Sequence, residues 1–393
     1  MKIVFAGTFG MAPKSTMRVR ALPLAQALVR RGHEVTVVLP PWDDPLESGH
    51  VFESEGVRVV NAGLPPRIPG WWYLELTRRL VAAADRAHPD VVHVFKPKGF
   101  SGAVAQYFLA RRALTARGPR VVVDTDDWEG RGGWNDVEAY PWWQKTTFAI
   151  QERWLLRNAD AVTAASRTLV DLGRAIRGRA EDIRYLPNGV IPRPAPKAEA
   201  VAALRVQLGL AGSQVVLCYT RFVEYGPDRL VAALAPLAGL DPKPVVLLVG
   251  RGLHGEEQRF LAEARERAGL AVVDAGWVDA EVLPAYLGLA DVALFPMEDS
   301  LINRAKCSAK LVDLLSVGVP VVASAVGQSS EYIGDGESGV LVPTGEPELL
   351  GAAVAALLGD PARRTRLAIA ARQRMAAAFR WDDLAIAAEA AYQ

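Results

Sequence analysis

KLVDLLSVGVPVVAS, residues 310–324, decides how this chain folds. It reads as a helix carrying one acid, Asp313, then a glycine turn at Gly318, then a buried strand. Past the strand, Glu331 opens the next turn, ahead of DGESGVLVPTGE at 335–346. A helix, a tight turn and an apolar strand in immediate succession are one step of a β/α alternation. The chemistry at the start of such a helix is also suggestive. Its first backbone N–H groups and the Lys310 ammonium can hold a diphosphate, while carboxylates accept hydrogen bonds from ribose or sugar hydroxyls. Together these groups suit a nucleotide sugar.

The same alternation runs outward in both directions. In the first half we expect strands over 3–6, 34–39, 57–60, 91–94, 120–124, 161–164 and 183–186, with helices such as 18–31 and 77–87 between them. These strands are apolar on both faces, as parallel strands covered by helices are. Pro187, Pro192, Pro194 and Pro196 then crowd a short irregular stretch, read as a linker. A second series follows, with strands over 215–219, 245–249, 272–274, 292–295, 319–323 and 340–342 and helices over 228–238, 256–268, 280–289 and 308–317. Residues 347–393 are rich in Ala and Arg and read as helical. Two consecutive series imply an α/β chain of two doubly wound parallel-sheet domains, which bind ligands beyond the carboxyl ends of their strands; two such domains facing each other would form a cleft.

Bulk properties agree. At 393 residues, half of them hydrophobic, there is material for two cores. A net charge of +1 gives no reason to expect a nucleic-acid partner. Cys218 and Cys307 make neither a disulfide framework nor a metal cluster. No apolar run approaches the length that spans a membrane, and Lys2 followed by IVFAGTFG is a strand and loop rather than a signal segment. The expected location is the cytoplasm. A peripheral place on the inner face of the membrane stays open, although no basic amphipathic helix stands out.

Several constellations carry chemistry. The loop Gly7-Thr-Phe-Gly10-Met-Ala-Pro13 follows the first strand, and its glycines let backbone approach a ligand; an ordinary turn would use them as well. Arg221 follows the first strand of the second series, placed to fork onto phosphate oxygens unless Glu224 or Asp228 pairs with it. Arg304, Lys306 and Lys310 gather near a helix start, which disfavours cations unless an anion binds there. Asp313 lies one turn past Lys310 and could simply pair with it. Asp124, Asp126, Asp127 and Glu129 crowd the end of a strand, and we favour hydroxyl binding or general-base work for them over a metal site, there being no histidine nearby. Trp71, Trp72, Trp128, Trp134, Trp142, Trp143 and Trp154 all fall in the first half. Most are expected in the core; Trp128 and Trp134 are the candidates for acceptor contact, and Trp71-Trp72 for an exposed platform. His93, at a strand end, is a further acceptor candidate, as is Arg18 at the first helix. GRGLHG at 250–255, with Asp274 beyond it, matches a dinucleotide fingerprint, but follows the second strand of its series rather than the first.

At this point a resemblance enters. RGHEVTVV (31–38), PDVVHV (89–94), NADAVTAASRTL (158–169), LPNGV (186–190), LADVALFP (289–296), KLVDLLSVGVPVVAS and the segment from Glu331 through GDGESGVLVP are in the order and spacing of one family. The chain resembles the family 4 glycosyltransferases of the GT-B fold over nearly its whole length. The resemblance implies a retaining, metal-independent transfer from a nucleotide sugar, which is a substrate, so that no cofactor is expected. It implies an acceptor domain of residues 1–191 plus a returning terminal segment 376–393, and a donor domain of 192–375. Arg221 matches the family's phosphate-binding Arg, Asp313 the second acid of its Glu-x7-Glu motif, and Glu331 the acid beside the next strand.

The sequence departs from the pattern at three places. Ala305 stands where the first Glu of that motif belongs, with Glu298 or Asp299 as its substitute. Glu224-Tyr-Gly226 replaces the lysine that usually follows the phosphate Arg, leaving Lys306 or Lys310 to supply the charge. Asp126-Asp127 stands where a His-Asp pair is expected. The reading that follows is a transferase for a UDP- or GDP-sugar acting on a hydroxyl of a glycan, lipid-linked or small-molecule acceptor. Arg221 and Lys310 would steady the departing diphosphate, and Asp126 or Asp127 would serve the acceptor. A sugar-nucleotide binder without catalysis is the alternative, and an NAD-dependent dehydrogenase a third.

Overall fold

The computed structural model describes residues 1–12, 16–179 and 181–393; Pro13 of the opening loop lies outside the described residues. The chain forms two compact units. One is Met1–Ile191 with Ala305–Cys307 and Phe379–Gln393; the other is Pro192–Arg304 with Ser308–Ala378.

The first unit holds an eight-stranded sheet. Its strands are β1 (Lys2–Ala6), β2 (Glu34–Leu39), β3 (Val51–Ser54), β4 (Val57–Asn61), β5 (Val91–Phe95), β6 (Arg120–Thr125), β7 (Ala161–Ala164) and β8 (Ile183–Tyr185). They lie in the order β3-β4-β2-β1-β5-β6-β7-β8. Every pairing is parallel except β3 against β4. Strand β3 was not expected from the sequence, because it is an exposed edge without an apolar face. Helices Trp71–Arg86, Gly99–Thr115, Trp142–Asn158 and Arg167–Arg177 follow one another along the chain, and the last three were not read individually from the sequence.

The helix expected over 18–31 is interrupted at its start. Residues Met17–Ala21 form a π-helical turn, and the α-helix proper is Leu22–Arg30, with a proline in its first turn. That wider turn rolls Arg20 inward until it is 1% exposed. The core beneath is built from Phe5, Leu24, Leu28, Val37, Val59 and Phe95 together with Trp381, Ala385 and Ala388 of the terminal helix Trp381–Tyr392. The chain's last helix is thus a structural part of its first sheet.

The second unit holds β9 (Val215–Tyr219), β10 (Val245–Val249), β11 (Val272–Gly276), β12 (Val292–Phe295), β13 (Val321–Ser324) and β14 (Val340–Val342), in the order β11-β10-β9-β12-β13-β14. All five pairings are parallel. The order reverses between β9 and β12, as it does in the first unit between β1 and β5. Adjacent connections run to opposite faces there and leave a crevice beyond the carboxyl ends. The groups that matter below sit at those two points.

Candidate functional site

In the second unit, β9 ends at Tyr219 and delivers Arg221 one step beyond it. Neither carboxylate that could have neutralised Arg221 does so. Glu224 takes the Lys310 ammonium at 2.7 Å, and Asp228 is engaged by Arg259 at 2.6 Å. The Arg221 guanidinium instead lies 5.8 Å over the ring of Trp277, itself 56% exposed, and its Nε is buried without a hydrogen bond. Among the described residues no carboxylate pairs with it. A fixed, unneutralised cation at a switch point is a ready site for an anion.

The Ala309–Val317 helix, tied to the loop after β9 by the Lys310–Glu224 pair, is capped by the Ser308 hydroxyl. Asp313 does not pair with Lys310; it accepts from Arg193 at 3.1 Å. Burial pushes its carboxyl up to about 6, while Arg193, the Tyr219 hydroxyl and Lys310 pull the other way. The three cations expected at one helix start each have a different partner. Lys310 has Glu224, and Arg304, exposed on the short helix Leu301–Ala305, is clamped by Asp299 at 2.5 Å. Lys306 belongs to the first unit and lies 5.2 Å over the Trp134 ring. Arg304 is thus held by an exposed ion pair, a weak restraint that an anion could displace. Glu331 sits on Ser329–Tyr332, where its carbonyl accepts from Arg374 at 2.8 Å.

In the first unit, β5 ends at Phe95 and the next residue, Lys96, takes a left-handed backbone, φ +58°. A lysine held there is strained, and such residues collect at working sites. Its ammonium reaches Asp127 at 2.5 Å, Asp126 at 3.1 Å and Glu129 at 3.7 Å. Lys98 takes the other oxygen of Glu129 at 2.6 Å. The four-acid loop is thus made tolerable by two lysines that the sequence reading passed over. KPKG directly after a strand, facing an acid-rich strand end, was the available signal. The two aspartates are driven apart. Burial raises the Asp126 carboxyl against the pull of Lys96, with Asp127 and Asp124 adding to the rise. Burial also acts on Asp127, but the charges of Lys96 and Lys306, with a hydrogen bond from Lys96, outweigh it and hold that carboxyl below its ordinary range. Separated pairs of this kind divide acid–base labour.

Behind this loop, Glu152 of the Trp142–Asn158 helix is wholly buried. It accepts from the Glu129 N–H at 3.2 Å, and burial beside Glu129 pushes its carboxyl up to about 8. A second buried chain lies deeper. Arg20 forks onto Asp124 at 2.7 and 2.6 Å and also donates to the Leu186 carbonyl and Asn188. Asp124 accepts from Thr163 at 2.5 Å; His93 Nε2 lies 3.0 Å from the Thr163 hydroxyl and Nδ1 2.9 Å from the Tyr392 hydroxyl. His93 is 0% exposed with both nitrogens occupied, so it is a structural link rather than an acceptor contact. Burial depresses it to about 4, leaving it neutral at pH 7.

The opening loop divides by role. Gly7 is packed so tightly that a Cβ would lie 2.7 Å from Leu39 and 2.8 Å from Met17. Gly10 donates its N–H to Asp43 at 2.9 Å. Gly10, Met11 and Arg18 line a cavity of about 450 Å³ with Asp44, His50 and Asn61. Arg18 is exposed there and available to a ligand.

The family model described as Glycosyl transferase 4-like domain matches residues 15–189, and the one described as Glycosyl transferases group 1 matches 202–374. The chain is a family 4 glycosyltransferase. It is 28% identical, over 89% of its length and 88% of the relative's, to the GDP-mannose-dependent alpha-(1-6)-phosphatidylinositol monomannoside mannosyltransferase of Mycolicibacterium smegmatis. It is 28% identical over 94% of its length to the glycogen synthase of Mycobacterium tuberculosis, covering 88% of that protein. Among solved structures, sucrose-phosphate synthase from Thermosynechococcus elongatus superposes with a TM-score of 0.73 at 25% identity, covering 98% of this chain and 96% of that one. Anabaena HepE in complex with UDP-glucose gives 0.72 at 20%, covering 99% and 98%, which speaks for the fold alone. That fold is GT-B.

For the transferase, three sequence readings change. The dehydrogenase alternative falls. The second family model covers the GRGLHG segment as part of a glycosyltransferase domain; there Gly250, at φ +115°, packs where a Cβ would meet the Thr220 carbonyl, and Asp274 is engaged by Arg251 at 3.3 Å and by the Gly276 N–H at 2.8 Å. Trp128 is 9% exposed, its indole donating to the Arg131 carbonyl, with Gly130 and Gly133 pressed against it. It supports the loop from within and offers no acceptor face, whereas half-buried Trp134 lies under the Lys306 ammonium with its indole N–H unused. Ala305 is fully buried and its carbonyl accepts from Ser166 at 2.7 Å, so no acid serves at that position; of the two substitutes, Asp299 is held by Arg304.

Proposed function

We propose that this transferase moves a sugar from a GDP- or UDP-linked donor to a hydroxyl of a glycan, lipid-linked or small-molecule acceptor, with retention at the anomeric carbon and without a metal ion. The observation that carries the donor half is Arg221, which no carboxylate pairs with among the described residues, at the reversal point of the second sheet. Its guanidinium and the Lys310 ammonium neutralise the charge that grows on the leaving diphosphate. Asp313, held by Arg193, receives ribose hydroxyls. In the first unit, Asp126 orients or deprotonates the acceptor hydroxyl, because its raised carboxyl is the more basic of the pair, while Asp127 stays ionised against Lys96 and Lys306. Arg18 and Trp134 contribute acceptor contacts.

GDP is the first base to try, since several similar proteins are GDP-mannose-dependent by name. The test is a thermal-shift panel of GDP-, UDP-, ADP- and dTDP-sugars without added metal and with chelator. Stabilisation by one class sets the donor base. Arg221→Ala should abolish that shift and cut turnover at least about tenfold, the loss expected for one fixed charge at a developing anion. Wild-type stabilisation and turnover in Arg221→Ala would defeat the donor reading. The anomeric configuration of the product, read by NMR, decides retention.

A further inference from the structure

The Trp142–Asn158 helix has two faces that do different things. Its inner face holds the acid loop. Gln151 accepts from the Gly99 N–H at 2.7 Å, and Glu152 accepts from the Glu129 N–H. Its outer face was expected to be ordinary, with these tryptophans in the core. Instead Trp142 is 78% exposed, Trp143 57%, Ile150 62% and Trp154 42%. At ~100° per residue these four share one side of the helix with the exposed Arg153 and Arg157. The helix's one acid, Glu152, points the other way and is buried. Among the described residues neither arginine makes an ion pair, while Arg111 and Arg112 of the Gly99–Thr115 helix are both matched, by Asp85 and Asp160.

Three indoles and an isoleucine facing water would be costly for a helix with nothing to cover it. Indoles prefer the headgroup level of a bilayer, where the ring is shielded and the N–H stays wet, and arginines beside them want phosphate. The stripe therefore complements a layer of anionic headgroups in both polarity and charge. We propose that the outer face of the Trp142–Asn158 helix docks on an anionic lipid surface, so that the acid loop pinned to its inner face works beside the bilayer. The docking is separate from the donor reading and is measured with no nucleotide sugar present.

The experiment is co-sedimentation of the full chain with phosphatidylcholine vesicles, with or without phosphatidylglycerol. Wild type should pellet with the anionic vesicles, much less with phosphatidylcholine alone, and be released by salt. Arg153→Glu with Arg157→Glu should weaken partitioning at least about twentyfold, each arginine being worth roughly fivefold near such a surface. Trp142→Ala with Trp143→Ala and Trp154→Ala should weaken it at least about tenfold, with the unfolding midpoint unchanged because the side chains are exposed. Wild type left in the supernatant with anionic vesicles overturns the proposal, even if the same face then captures a protein. Undiminished binding by either variant set overturns it as well.

Discussion

Glu152 offers the sharpest test of the buried electrostatics. Its carboxyl titrates near 8 in the folded chain against an ordinary 4.5, chiefly because burial penalises the charged form. Between those values the folded state keeps a proton that the unfolded state has released. Stability tied to this group is therefore complete below about 4.5 and drains away as pH rises toward 8. The full displacement is worth at most about 5 kcal/mol, at ~1.4 kcal/mol for each pH step of one. Glu152→Gln keeps an acceptor for the Glu129 N–H but cannot ionise. Unfolding of wild type and variant should be compared from pH 5.5 to 8.5 by calorimetry, following the transition of the first unit. The variant should gain on wild type across this window by at least about 2 kcal/mol, since both begin with an uncharged side chain and only wild type must later bury a charge. Parallel curves would refute the reasoning, and a growing deficit of Glu152→Gln with rising pH would reverse its sign.

Asp124→Asn should destabilise the first unit by about 3–5 kcal/mol in urea titration, because it leaves the Arg20 guanidinium buried without its countercharge. Asp126→Asn should remove the ascending limb of the rate–pH profile, which lies above the ordinary aspartate range because burial raises that carboxyl; Asp127→Asn should keep the limb but shift it to lower pH, since the Asp127 charge no longer raises Asp126, and lower the rate throughout. Glu224→Gln should leave Lys310 without its anionic partner and tighten nucleoside diphosphate binding, measured by calorimetric titration; weaker binding would show that Glu224 positions the lysine rather than restraining it.

The parallel strands were legible because both of their faces are buried, so Val215–Tyr219 and Ala161–Ala164 announce themselves as unbroken apolar runs. Val51–Ser54 did not, being a short exposed edge with no buried apolar face. Arg221 was legible from position, one step past the first strand of its series. The left-handed turn that aims Lys96 at three carboxylates has no sequence mark except KPKG, and the π-helical turn that rolls Arg20 inward has none. His93 shows the opposite failure. A histidine at a strand end looks functional until the Tyr392 hydroxyl, 299 positions away, is found on its ring. The tryptophans of Trp142–Asn158 were misjudged because the same residue type fills cores and coats surfaces, and only the packing of Leu155 and Leu156 on the other side decides which.

The last helix completes a sheet whose strands were made long before it, and this imposes a timetable on synthesis. When Ile191 has been added, the sides of the Leu22–Arg30 helix and of β6–β8 on which Trp381–Tyr392 will pack are still bare, and His93 waits for its tyrosine. At ribosomal speed the missing piece arrives roughly 10 to 40 s later. A newborn chain must therefore carry an oily seam through the whole manufacture of Pro192–Ala378, a stretch in which bare apolar surface favours aggregation and slow translation of the second half becomes a hazard to the first.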